Sequence, residues 1–131
     1  MTADCVVTAI GDDGRRRVLL IQRNNDPYKG CWAFPGGFME MDETLEQCAC
    51  RELKEETGLE VENLQELKSF STVDRDPRGR TVTVAFLAET ELCEVSGSDD
   101  ARDARWFGLD EVPPLAFDHE EILKLALERL G

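Results

Sequence analysis

The chain has 131 residues, 41% of them apolar and 33% charged, with 28 acidic against 15 basic side chains and a formal charge of -13. That length supports one domain with a real core, and the acidic balance argues against nonspecific attraction to nucleic acid or anionic lipid, both of which need net positive faces. No apolar run approaches the roughly 18 residues of a membrane span, and the start, MTADCVVTAIGDDG, lacks the layout of a signal peptide, so a cytoplasmic protein with no membrane partner is expected.

Asp4 to Ile10 and Arg17 to Arg23 are β-branched and aliphatic runs flanking GDDGRR, whose Asp-Gly pair is a turn signal, and they predict a hairpin. Residues 24 to 37, NNDPYKGCWAFPGG, are punctuated by Pro and Gly and read as a loop around an aromatic patch. A helix is predicted from about Glu43 to Thr57, stopped by Gly58. Val61 to Val73 and Thr81 to Glu91 read as two strands joined through DRDPRG, with VTVAFLA apolar on both faces and therefore central. Glu94 to Arg102 is polar and loop-like, and Ala104 to Phe107 makes a short last strand. Asp118 is a candidate N-cap for a terminal helix with Ile122, Leu123, Ala126, Leu127 and Leu130 on one stripe. Strands interrupted by one helix and closed by another imply an α+β layered domain, a mixed sheet packed between helices.

Cys5, Cys31, Cys48, Cys50 and Cys93 show no C-x-x-C spacing, and His119 is the sole histidine. Free thiols in a reducing compartment are expected, and a zinc site is not.

The stretch RELKEETGL, Arg51 to Leu59, carries the chemistry. Projected at about 100° per residue, Leu45, Cys48, Ala49 and Leu53 form a buried stripe, and Glu52, Glu55 and Glu56 continue it rather than the solvent face held by Gln47 and Lys54. Local physics disfavours this crowding. Like charges one turn apart cost about 0.2–0.5 kcal/mol per pair, and anions in a last turn oppose the helix dipole by roughly 0.3–1 kcal/mol each. Arg51 can reach Glu55 but cannot neutralise every carboxylate. Hard oxygens from adjacent turns suit Mg²⁺ or Mn²⁺, whereas an isolated ExxEE is more simply a solvated charge run.

The surrounding spacing decides between these readings. Gly37, Glu43, Arg51-Glu52-Leu53, Glu55-Glu56 and Gly58-Leu59, with five residues after Gly37 and seven after Glu43, span 23 residues. This stretch resembles the signature box of the Nudix hydrolases, whose fold is an α/β/α sandwich, and the order of elements around it is similar to theirs. The resemblance implies one Nudix domain over 1–131 that hydrolyses a nucleoside diphosphate derivative with divalent cations. Glu52, Glu55, Glu56 and the Gly36 carbonyl would be metal ligands, with Glu43 and Arg51 as a supporting pair. Glu52 is the first candidate for the general base; Asp99, Asp100, Asp103 and Glu120 are loop alternatives. Gly36 and Gly37, after Pro35, suit a turn where backbone must approach metal and phosphate closely.

VDRDPRGRTVTVAFLA and ARWFGLDEVPPLAFDHEEIL resemble the ADP-ribose pyrophosphatase branch, including regulators that carry the same domain. On that resemblance Arg23, Arg75, Arg78 and Arg80 could contact phosphate or ribose, although Arg75 and Arg78 could instead pair with Asp74 or Asp76. Trp32, Phe34 or Phe70 could stack on adenine, while Phe70 and Trp106 fit core packing better. The implied reaction takes ADP-ribose to AMP and ribose 5-phosphate. A nucleoside triphosphate pyrophosphatase acting on oxidised purines is the rival enzyme. An ADP-ribose sensor is the rival binding module; similar regulators add a winged helix for DNA, whereas this acidic chain ends at Gly131 with every box glutamate present. The expected partner is a small nucleotide rather than nucleic acid, and relatives are often homodimers.

Overall fold

Two-residue alternation organises the sheet, because each central strand has both of its faces covered. On β1 (Thr2–Ile10) the odd residues Ala3, Cys5 and Val7 enter one core, and Val6 enters the other. The same division holds on β2 (Arg16–Arg23), where Leu19 faces one way and Val18 and Leu20 the other. The structure, a computed structural model, describes residues 1–97 and 101–130.

Between β2 and the first helix lie two short strands, β3 (Trp32–Ala33) and β4 (Gly36–Phe38). Helix α1 (Leu45–Thr57) is followed by β5 (Gln65–Phe70), β6 (Thr83–Glu91), β7 (Ala101–Gly108) and helix α2 (His119–Leu130). The sheet runs β3-β2-β1-β6-β5, with β4 on β1 and β7 on β2. β1 and β6 are parallel and the other pairings antiparallel, so the sheet is mixed. Cys48, Ala49 and Leu53 of α1 close one face, and Ile122 and Ala126 of α2 close the opposite one. The predicted α+β sandwich is the fold observed, and β6 is central as its two-sided apolar run requires.

The departures are local. β3 and the first two residues of β4 fall inside the stretch expected to be a loop; two and three residues are too few to show a strand period, and their partners on β2 and β1 define them. Glu43 precedes α1 because Thr44 takes the N-cap and shares a capping box with Gln47. Gly58 ends the helix with φ 80°, as expected. β5 is shorter than predicted, and β7 is longer, extending to Ala101 along β2. Cys5 and Cys48 are buried in the α1-side core and all five cysteines are unbridged. Among the described residues no helix is long and apolar enough to cross a membrane.

Candidate active site

The last turns of α1 meet β4 at one end of the sheet, and glycine makes that approach possible. A Cβ at Gly37 would lie 2.6 Å from Glu52 Cδ, and one at Gly36 would collide with Asp4 and the Ala3 carbonyl. Gly36 N–H donates to Glu56 Oε1 at 2.8 Å, which satisfies a carboxylate left only 5% exposed.

Arg51 is the hub of this acidic wall. It grips Glu43 through Nε (3.0 Å) and Nη2 (2.7 Å), and Nη2 also reaches the Phe38 carbonyl at 3.1 Å. Its Nη1 donates to Glu52 at 2.8 Å and to Glu55 at 3.3 Å. The Arg51 bonds, helped by the Glu40 backbone N–H, bring the Glu43 carboxyl down to about 2, and the carboxylates in turn raise the Arg51 guanidinium. One guanidinium thus serves Glu43, Glu52 and Glu55, and the wall stays net negative.

A cleft of about 480 Å³ separates this wall from a basic, aromatic one. Arg75, on the β5–β6 connection, forms two bonds to Asp118 at 2.9 and 2.7 Å. Burial would lower the Arg75 guanidinium, but the bonded Asp118 carboxylate outweighs it and raises it. Arg78 holds Asp76 in the same two-pronged way and lies 5.0 Å from the Phe38 ring centre. Arg23 donates to the Pro27 carbonyl at 2.7 Å and lies 5.0 Å from the Phe117 ring centre. Burial, then the neighbouring Arg78, lowers its guanidinium.

The back of the cleft is a buried polar chain. Asp4 Oδ2 accepts from Thr83 Oγ1 at 2.6 Å and faces His119 Nε2 at 3.6 Å, an electrostatic contact longer than a hydrogen bond.

The sequence-predicted residues divide accordingly. Glu52, Glu56, Arg51, Gly36, Gly37, Arg23, Arg75 and Arg78 line the cleft, with Glu43 bound directly behind Arg51. Glu55 is exposed and turned onto Arg51, so it stands at the rim. Arg80 donates to the Ser71 carbonyl and is not brought to the cleft with the other arginines. Trp32 is also displaced, packed edge-on against Phe107 with centroids 4.9 Å apart. Phe34 borders the cleft but is 2% exposed and stacked on His119, so no face is open to a base. Phe70 and Trp106 pack on the two cores, as expected. Arg78 pairs with Asp76 as anticipated, whereas the Arg75 partner is Asp118 rather than Asp74 or Asp76.

Of the alternative bases, Asp103 lies on β7 bound to Arg105, and Glu120 is exposed on α2; neither lines the cleft. Asp99 and Asp100 lie outside the described residues. Sequence reasoning missed Asp4, Phe117 and the role of His119. Phe117 has φ 53°, a conformation bulky residues rarely adopt, and no local pattern signals it.

Among the described residues no three acidic, histidine or cysteine side chains converge tightly enough to cage an ion alone. The donor chemistry still fits Mg²⁺ or Mn²⁺, which take one or two carboxylates and complete their shell with water and phosphate. Glu52 and Glu56 present such hard oxygens beside the Gly36-Gly37 backbone.

Known proteins are similar to this chain in sequence and fold. An ADP-ribose pyrophosphatase from Methanocaldococcus jannaschii is 47% identical over 108 residues, covering 82% of this chain and 64% of that protein. The ADPR-responsive transcriptional repressor NtrR from Acinetobacter baylyi is 38% identical over 136 residues, covering 100% of this chain and 54% of the repressor. The chain therefore spans less than two thirds of the length of either relative. The NUDIX domain of Shewanella oneidensis NrtR, solved with ADP-ribose, superposes with a TM-score of 0.90 at 35% identity, covering 99% of this chain and 87% of that one. Residues 1–126 match the NUDIX domain, and the chain belongs to that family.

Proposed function

We propose that this domain is a Mg²⁺-dependent pyrophosphohydrolase that cleaves ADP-ribose to AMP and ribose 5-phosphate. The carrying observation is the juxtaposition, across one cleft, of the Glu52/Glu56 wall with the Arg23/Arg75/Arg78 wall. An anionic, elongated substrate needs both: a cation-binding end for the bond that breaks and guanidinium donors for the remaining oxygens. The name of the Methanocaldococcus relative and the ADP-ribose bound by the Shewanella domain support that choice.

Glu52 and Glu56 would hold the cation, with Glu55 and the Gly36 carbonyl as further donors. When bound, the divalent ion neutralises phosphate oxygens and lowers the pKa of water. Glu52, beside the cleft and oriented by Arg51, accepts the proton of the attacking water. The water oxygen bonds to one phosphorus while the bridging oxygen leaves with the other phosphate. Arg23 donates to substrate oxygens, and Arg75 and Arg78 contribute the N–H groups not engaged by Asp118 and Asp76.

A second reading, an ADP-ribose sensor, is favoured by the full-length alignment with the repressor. A panel of ADP-ribose, NADH, dinucleoside polyphosphates, sugar nucleotides and nucleoside triphosphates, assayed with Mg²⁺ and product identification, separates the readings. AMP plus ribose 5-phosphate supports the proposal, and inorganic pyrophosphate from triphosphates supports the nucleoside triphosphate pyrophosphatase rival. ADP-ribose binding without turnover supports the sensor.

A further inference from the structure

We propose that His119 is a positioning residue: from the terminal helix, its Nδ1 anchors the backbone segment that sets the acidic wall. Phe34 N–H donates to His119 Nδ1 at 3.1 Å, linking residues 85 apart in sequence inside the protein. Two residues later Gly36 N–H holds Glu56, and Gly37 packs on the Glu52 carboxylate. Any shift at Phe34 therefore passes through Pro35 to both glutamates.

The clasp has two points. Ala116 N–H donates to the Trp32 carbonyl at 2.8 Å, and His119 completes the grip at Phe34, so the chain entering α2 runs beside the chain entering β4. On the far side of the ring, Asp4 and Thr83 close the cage. Accepting from an amide requires a bare Nδ1, so the ring proton sits on Nε2, the nitrogen that faces Asp4. Nδ1 thus has a hydrogen-bond donor opposite it and Nε2 faces a carboxylate at 3.6 Å, in a cage that leaves the residue 3% exposed. Stacking alone, on Phe34 at 5.3 Å, would need neither nitrogen.

This inference deepens the proposed hydrolase and rests on that reading for its kinetic consequence. Three substitutions separate hydrogen bonding from packing. His119→Asn keeps an acceptor near the Nδ1 position; His119→Gln places its amide near Nε2 and lacks that acceptor; His119→Phe keeps the ring alone. The expected order of kcat is wild type, then Asn within about tenfold, then Gln and Phe lowered by about 10²-fold, the scale of a small misplacement of reacting groups. Phe34 amide exchange should accelerate in Gln and Phe but not in Asn, and the Gly36 and Gly37 amide signals should shift with it. The lone histidine makes its nitrogen spectrum unambiguous, and the Nε2-protonated tautomer is expected.

Phe outperforming Asn, or an Nδ1-protonated ring in the wild type, overturns the proposal. Should Phe not fold, the Asn–Gln pair decides. If the wild type hydrolyses none of the nucleotides with Mg²⁺, the hydrolase reading fails, and the tautomer, Phe34 exchange and glycine signals still decide whether His119 positions the turn.

Discussion

The two walls of the cleft treat charge oppositely. On the α1 wall the Arg51 guanidinium is divided among Glu43, Glu52, Glu55 and the more distant Glu40, while the Gly36 amide donates to Glu56. On the opposite wall Arg75 and Arg78 have carboxylates of their own, Asp118 and Asp76. Arg23 differs from both, since its bonded partner is the Pro27 carbonyl, a neutral group. The lesson is that the acidic wall gathers more carboxylates than Arg51 can neutralise, the feature on which the proposed cation site rests, whereas most of the basic wall is already ion-paired within the protein. Of the three basic residues, Arg23 is the one whose hydrogen bond goes to a neutral group, so under the proposed function it is the first choice for a substrate anion.

Substitutions can break or sharpen this contrast. The largest effect is expected on the acidic wall: Glu56→Gln should lower Mg²⁺-dependent kcat by about 10²–10⁴-fold with little change in the fold, read by steady-state kinetics and circular dichroism. Unchanged turnover there would remove Glu56 from the cation site. On the basic wall Arg75→Ala should act first on stability, by about 3–5 kcal/mol in denaturant unfolding, because Asp118 is left largely buried without its partner. Arg23→Ala should do the reverse, weakening ADP-ribose binding by about tenfold or more with an unfolding midpoint close to wild type, measured by calorimetry. Equal stability losses in the two variants would erase the distinction drawn between them.

The smallest effect is a matter of pH. Arg51 depresses the Glu43 carboxyl to about 2 in the folded protein, below the roughly 4.3 of a free glutamate. A depressed carboxylate contributes stability above its unfolded pKa and loses it as pH falls toward the folded one. The Glu43 contribution should therefore disappear between about pH 4.3 and about pH 2. Carboxyl chemical shifts should show Glu43 still ionised at pH 3.5, and Glu43→Gln should flatten that part of the stability profile.

The acidic wall was legible in the sequence because helix geometry is local. Spacing within one helix places Glu52 and Glu56 on one side, and Gly58 announces the end. Arg51 bonds Glu43 eight residues away, the pairing that the resemblance implies. Legibility faded with sequence separation. Arg75 was paired with its immediate neighbours, yet Asp118, 43 residues on, holds it. Trp32 and Phe34 are two residues apart and read as candidate stacking residues, but both turn to the α2-side core, where Trp32 packs on Phe107 and Phe34 on His119.

By itself the sequence determined the family, the α+β layering and the acidic constellation of α1, because these depend on periodicity, capping and fixed short spacings. Only the tertiary structure decided that α2 forms the back wall of the cleft, that Asp4 and His119 meet there, and that Phe117 lies beneath Arg23. Those contacts join β1, the β3–β4 turn and the end of the chain. Nothing in a local pattern records which distant segments a folded sheet brings together.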